Sequence, residues 1–165
     1  MNANFSSPDE PEQIEARARL RRARESANKS PEELSAFVGN STSTYYDLEN
    51  CNGEIYMTLS LGELAAICSV VGIRPRELFT VIGHDNEQQS ISPKQLISEV
   101  EKYLNKSGMT IVELEERVGF EVAPSLEDVS KVLDWNVDFL RWLCAELGLD
   151  WHLALPEKSK PSVTH

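Results

Sequence analysis

The stretch from Ser30 to Leu48, Ser-Pro-Glu-Glu-Leu-Ser-Ala-Phe-Val-Gly-Asn-Ser-Thr-Ser-Thr-Tyr-Tyr-Asp-Leu, constrains the fold more than any other part of the chain. Ser30 is a ready N-cap, because its hydroxyl can accept from a backbone N–H that has no partner inside the helix. Pro31 suits the first helical position, where no N–H is needed, and Glu33 can reach back to the cap and complete the box. The spacing then predicts that Leu34, Phe37 and Val38 share one face. Gly39 permits the left-handed conformation that ends a helix. Ser41 can cap a second helix that turns Tyr45 and Leu48 inward. Two short helices joined by a tight turn containing Gly make a helix-turn-helix.

A chain of 165 residues accommodates one domain or two small ones. No apolar run reaches the length of a membrane span. The polar, acidic start of the chain reads as neither a secretory signal nor an Arg-rich transit peptide. Cys51, Cys68 and Cys144 are odd in number and form no CxxC pair, so reduced thiols in a cytoplasmic protein are expected, with Cys68 and Cys144 as buried small hydrophobes. The net charge of −11 bears on partners, because an acidic surface repels a duplex backbone unless basic residues cluster. The charge is uneven: residues 1–13 carry −3, residues 14–83 carry −1 and residues 84–165 carry −7. The near-neutral first half is therefore compatible with DNA.

The chain divides accordingly. Residues 1–13 read as a flexible acidic tail, 14–83 as a helix-turn-helix domain, 84–93 as a polar linker, 94–155 as a second helical unit and 156–165 as a flexible tail. A first helix is expected from about Ile14 to Asn28, with Ala16, Leu20, Ala23 and Ala27 as its apolar stripe. Arg17, Arg21 and Arg22 lie off that stripe. With Arg19 and Arg24 they form either a ridge facing phosphates or a solvated face with Glu15–Arg19 and Arg21–Glu25 pairs at i,i+4. After the helix-turn-helix, residues 50–53 read as a turn. Ser60 and Glu63 box the start of a helix that Gly72 ends, and Arg74 to Phe79 open a short fifth helix.

The second half repeats the first. Thr110, Glu113, Leu114, Val118 and Gly119 match Ser30, Glu33, Leu34, Val38 and Gly39 at an offset of 80. Leu140, Leu143, Cys144, Leu147 and Gly148 match Leu64, Ile67, Cys68, Val71 and Gly72 at an offset of 76. Cap, core face and terminating Gly recur in order, which implies two copies of one helical unit, the second degenerate. In that second copy the expected counterpart of the second helix of the motif, Ser125 to Asp134, carries Glu127, Asp128 and Asp134 against Lys131 alone. Trp135, Phe139 and Trp142 fall on one stripe. It either packs on the first copy within the chain or forms a dimer or partner surface.

Arg24 to Phe79 resembles the lambda-repressor-like (Xre/Cro-type) helix-turn-helix domain of bacterial and phage regulators. The resemblance rests on Ser30-x-x-Glu33-Leu34-Ser35-x-x-x-Gly39, on Ser41 to Tyr45 with Leu48-Glu49, and on Leu64-Ala65-x-Ile67-Cys68-x-x-x-Gly72-Ile73-x-Pro75-x-Glu77-Leu78-Phe79. It implies an all-α fold of two tandem small bundles, with the helix after Ser41 in the major groove and Thr42, Ser43 and Tyr46 facing base edges. It also implies a structural ion pair between Arg24 and Glu49, whose counterparts in the second copy are Leu104 and Leu133. The DNA-binding set expected is Arg17, Arg21, Arg22, Ser41, Thr42, Ser43, Tyr46 and Asn50. The partner-binding set is Trp135, Phe139 and Trp142.

No catalytic constellation, metal-ligand spacing or phosphate loop is evident, and His84, His152 and His165 stand apart. No enzyme, cofactor or metal is expected. Two functions compete. One is a sequence-specific DNA-binding transcriptional regulator of prokaryotic or phage type, acting as a homodimer on duplex DNA. The other is an acidic protein-binding module (an antitoxin, immunity protein or regulatory adaptor) that uses the fold to hold a basic partner. The helix-turn-helix puts the first reading ahead; the charge of −7 in the second half and the Trp135, Phe139 and Trp142 stripe support the second.

Overall fold

The computed structural model describes residues 10–79 and 89–157, and every regular element within them is helical. Residues 1–9, 84–88 and 158–165 of the expected tails and linker, with His84 and His165, lie outside the described residues. The first unit comprises α1 (Glu10–Ser26), α2 (Pro31–Val38), α3 (Thr42–Asn50), α4 (Glu54–Thr58), α5 (Leu61–Val71) and α6 (Pro75–Leu78). The second comprises α7 (Pro93–Ser107), α8 (Ile111–Val118), α9 (Ala123–Glu127), a 3-10 helix (Val129–Asp134), α10 (Val137–Leu147) and a closing 3-10 helix (Trp151–Ala154).

Capping sets these boundaries. Ser30, Ser60, Ser92 and Thr110 each accept from the backbone N–H three residues on, and Glu33, Glu63, Gln95 and Glu113 each reach back to the cap. Each box satisfies two donors that the first turn leaves without partners. Gly39 and Gly72 close α2 and α5 with φ of 73° and 79°, a conformation that costs glycine nothing. At the end of α1 the same left-handed step falls on Asn28, at φ 55°.

Several expectations are corrected. Helix α1 starts at Glu10, so residues 10–13 are helical and belong to no tail. The segment after Asn50 is more than a turn: Gly53, at φ 85°, starts the short helix α4, which buries Ile55 and Tyr56. Phe37 is 59% exposed and does not share the core face of Leu34. Residues advance by about 100° around a helix, and the buried pair in α2 is Leu34 and Ser35. The core direction lies between those two, which rotates Phe37 to solvent; Val38 keeps that direction in the last turn, where it is half-buried against the core. Small Ser35 suits this contact: its hydroxyl donates to the Glu32 carbonyl and lies 3.3 Å from the Thr42 hydroxyl of α3.

The continuous helix expected from Ser125 to Asp134 is also absent. Glu115 of α8 accepts from the N–H groups of Val122 and Ala123, which starts α9 early and takes Pro124 into its first turn. Asp128 is extended, and its carboxylate accepts from the Ser130 N–H and hydroxyl, ending one helix and starting the next. Leu133 is 38% exposed against Gly62 of α5, so it forms no core pair with Leu104.

The two units share one continuous core, from Ala16, Leu20 and Leu34 in the first to Leu140, Leu143 and Leu155 in the second. Cys68 and Cys144 lie within it, and burial pushes each thiol up to about 12. At the seam the Leu61 N–H donates to the Trp135 carbonyl at 2.7 Å and the Asn136 side chain donates to the Met57 carbonyl. Phe79 meets Trp151 edge to face at 5.4 Å, and the Ile91 N–H donates to the Leu153 carbonyl.

The rotation of α2 is testable. Leu34→Ala should cost about 2–5 kcal/mol, as expected for a fully buried leucine. Phe37→Ser should stay within about 0.5 kcal/mol of the parent. Urea unfolding followed by circular dichroism reads both, and a large loss at Phe37 would place it back in the core.

Candidate nucleic-acid interface

The helix-turn-helix is α2, the turn at Gly39–Ser41, and α3. The Asn40 N–H donates to the Ser35 carbonyl, and its side chain reaches Glu63 of α5 at 3.4 Å. Asn40 thus ties the turn to α5 through a polar contact. Ser41 caps α3 by accepting from the Thr44 N–H. Its hydroxyl also lies 2.8 Å from that of Thr44 and 3.3 Å from that of Ser43. Tyr45 and Leu48 are fully buried beneath α3.

The anchor of α3 is Glu49, 3% exposed. Arg24 of α1 binds its carboxylate with both arms of the guanidinium, Nε to Oε1 at 2.5 Å and NH2 to Oε2 at 3.0 Å. The Tyr45 hydroxyl donates to Oε1 at 3.1 Å, and Arg21 Nε lies 3.5 Å from Oε2. The hydrogen bond to Glu49 holds the Arg24 guanidinium above its ordinary range. Burial first, and then the Glu49 charge, push the Tyr45 phenol up. Such a planar two-pronged contact fixes orientation as well as distance.

The expected arginine ridge is consequently engaged within the protein. Arg17 donates to the Glu49 carbonyl, in the last turn of α3, where a cation also complements the helix dipole. Arg21 donates to the Asn50 side chain at 2.6 Å. Arg22 pairs with Glu15 at 3.1 Å, on an exposed face of α1. Arg17, Arg21 and Asn50 therefore gather at the C-terminal end of α3, while Ser41, Thr42 and Ser43 stand at its N-terminal end, about 12 Å away for a nine-residue helix. Tyr46 lies between the two groups, 45% exposed, and no described residue hydrogen-bonds its phenol. The outward surface of α3 is made by Ser43, Tyr46, Asp47 and Asn50, with Thr42 half-buried against Ser35.

Residue identities alone did not reveal Ser35, whose contact with Thr42 seats α3 on α2. The available signal was a small polar residue one turn before the helix-ending Gly. The aromatic stripe of the second unit turns inward. Trp135 is 5% exposed, and Phe120 covers it edge to face at 5.3 Å. Phe139 stacks on Phe120 at 4.4 Å, and Trp142, half-buried, sits 5.7 Å from Phe139.

Removing the Glu49 carboxylate should strand a buried guanidinium. Glu49→Ala is expected to cost about 3–5 kcal/mol in urea unfolding. The pair Arg24→Met with Glu49→Leu should recover most of that loss, because apolar groups of similar volume need no desolvated charge compensated. No recovery in the double variant would show that the lost energy lies elsewhere.

Residues 19–83 match the family described as the Cro/C1-type HTH DNA-binding domain. No curated protein and no solved structure matches the chain. The matched segment takes in α2 and α3 with the Glu49 anchor between α1 and α3. Most of the first unit is thus similar to Cro/C1-type helix-turn-helix domains, which is consistent with a lambda-repressor-like arrangement of α2 and α3.

Proposed function

We propose that the protein is a sequence-specific, DNA-binding transcriptional regulator of prokaryotic or phage type, and that α3 is its reading helix. One observation carries this reading. Helix α3 is locked to α1 through Glu49, while its opposite face, with Ser43 and Tyr46, stays open. A short helix held rigidly on one side and polar on the other is what direct readout in a major groove requires. Ser43 and Tyr46 are the base-facing candidates. Thr42, Ser41 and Asn50 contribute through the ends of the helix, and the exposed edges of Arg21 and Arg22 supply phosphate contacts. Arg17 acts by holding α3.

The charge of that face supports a second reading, an acidic module that grips a basic protein. The outward positions of α3 include Asp47 and no Lys or Arg, and Phe37 stands exposed on the neighbouring helix α2. In that case the face would take a cationic, partly apolar surface, and duplex DNA would not compete for it.

Fluorescence anisotropy with duplex DNA at low salt separates the two. Binding is expected, and it should weaken steeply as salt rises, because phosphate contacts release counterions. Ser43→Glu adds a charge at an exposed position and should weaken binding to every duplex at least tenfold. Tyr46→Ala should reduce discrimination among sites by about 1–3 kcal/mol. Neither substitution should change the unfolding midpoint. Absence of binding to any duplex at low salt would rule out the DNA reading and leave the protein-binding one.

A further inference from the structure

We propose that the second unit is a duplicate of the first, docked on it across a pseudo-two-fold axis, so that the surface formed by α4 and the start of α5 is filled by the chain's own second half and the protein works as a monomer. This inference goes beyond the DNA-binding reading and does not depend on it.

The observation that carries it is an isolated antiparallel bridge between Ser60 and Asn136. These are the same position in the two units: the offset is 76, and each is the N-cap of an eleven-residue helix, α5 or α10, that ends at a left-handed Gly. An antiparallel pair has a local two-fold axis at its centre. A residue on a two-fold axis meets its own equivalent, and the contacts on either side come in reciprocal pairs. The seam shows that reciprocity. Helix α4 packs on α10, and the 3-10 helix Val129–Asp134, which follows α4 at the same offset, packs on α5. Two unrelated helical units would have no reason to bring equivalent caps together.

The packing inside each unit repeats as well. Helix α5 touches α1, α2 and α6, while α10 touches α7, α8 and the closing 3-10 helix. The order of elements and the neighbours of α5 and α10 are thus common to both halves, whereas the packing of α9 and the side chains at the seam have diverged. Gly62 leaves room for the Leu133 backbone, 3.5 Å from where a Cβ would stand, but its counterpart is Asp138, which pairs with Arg141 at 3.0 Å. Arg141 in turn lies over the ring of Tyr56 at 5.7 Å, while its own counterpart is Ala65. Such one-sided changes suit a seam that always joins the same two halves, and a symmetric pair of chains could not use them twice.

Two measurements test the proposal, neither using DNA. Light scattering on the full chain should give the single-chain mass of 18.5 kDa up to concentrations of hundreds of micromolar. A stable dimer in that range would overturn it. The second measurement uncovers the seam. Trp135→Asp should undock the second unit, and in a Cys51→Ser background with Ser60→Cys the released α4–α5 surface should pair with that of another chain. Equivalent residues would then meet on the axis, so mild oxidation should give a disulfide-linked species of twice the mass, absent when residue 135 is Trp. A variant that keeps the helical signal of its first unit and forms no such species would overturn the proposal. If the variant loses its helix altogether, the mass of the parent chain decides.

Discussion

The buried carboxylate of Glu49 is the interaction on which the first unit depends. Helix α3 is a weak helix by itself: Thr, Ser, Tyr and Asn fill most of its nine positions, and a segment so short does not persist alone in water. Its position comes from tertiary anchoring. Arg24 and Tyr45 hold the Glu49 side chain, and Arg17 holds its carbonyl, so one residue receives bonds from α1 at both its side chain and its backbone. Burying these charges adds little net stability compared with an apolar pair of the same shape. What it supplies is a fixed angle between α1 and α3, since a guanidinium gripping a carboxylate at two points tolerates little rotation.

The seam between the units rests on different physics. Apolar burial there is continuous with the interior of each half, so neither unit has to complete a core from about seventy residues alone, a size at which stability is marginal. Phe79 and Trp151 meet edge to face across the seam, and behind it Phe120, Trp135 and Phe139 pack on one another within the second unit. Trp135 contributes its carbonyl to Leu61 as well as its ring to the core, which couples the start of α5 to the turn before α10. Loosening the second unit therefore disturbs the first at α4 and α5.

Much of this was legible in the sequence because it is written in local chemistry. A capping box needs only two residues three apart, and a left-handed Gly needs only its neighbours. Ser30, Thr110, Gly39 and Gly148 therefore announced the helix ends, and the repetition of those signals showed the order of the second unit. What was not legible depends on direction in space. Phe37 and Ser35 are both possible core residues by spacing, and only the seating of α2 on α3 chose the smaller one. Arg17 and Arg21 could face solvent or α3, and the choice depended on Glu49, more than twenty residues away. The break at Asp128 has a local cause, but the aspartate competed with a plausible helical pattern on both sides. The inward turn of Trp135 follows from Phe120 and Leu61, neither of which is near it in sequence.

These arrangements bear on how such a domain could discriminate among DNA sites. Non-specific affinity for a duplex grows with each cation placed against a phosphate. Here Arg24 is sealed against Glu49, Arg17 holds the end of α3, and Arg22 is paired with Glu15. An acidic second unit adds repulsion at longer range. If Ser43 and Tyr46 face bases as proposed, both effects would lower binding to arbitrary sequence more than they lower the contacts of these neutral side chains. Under the proposed function, a reader built this way would give up overall affinity and keep the difference between right and wrong sites, and that difference is the quantity that counts when non-specific DNA is in large excess.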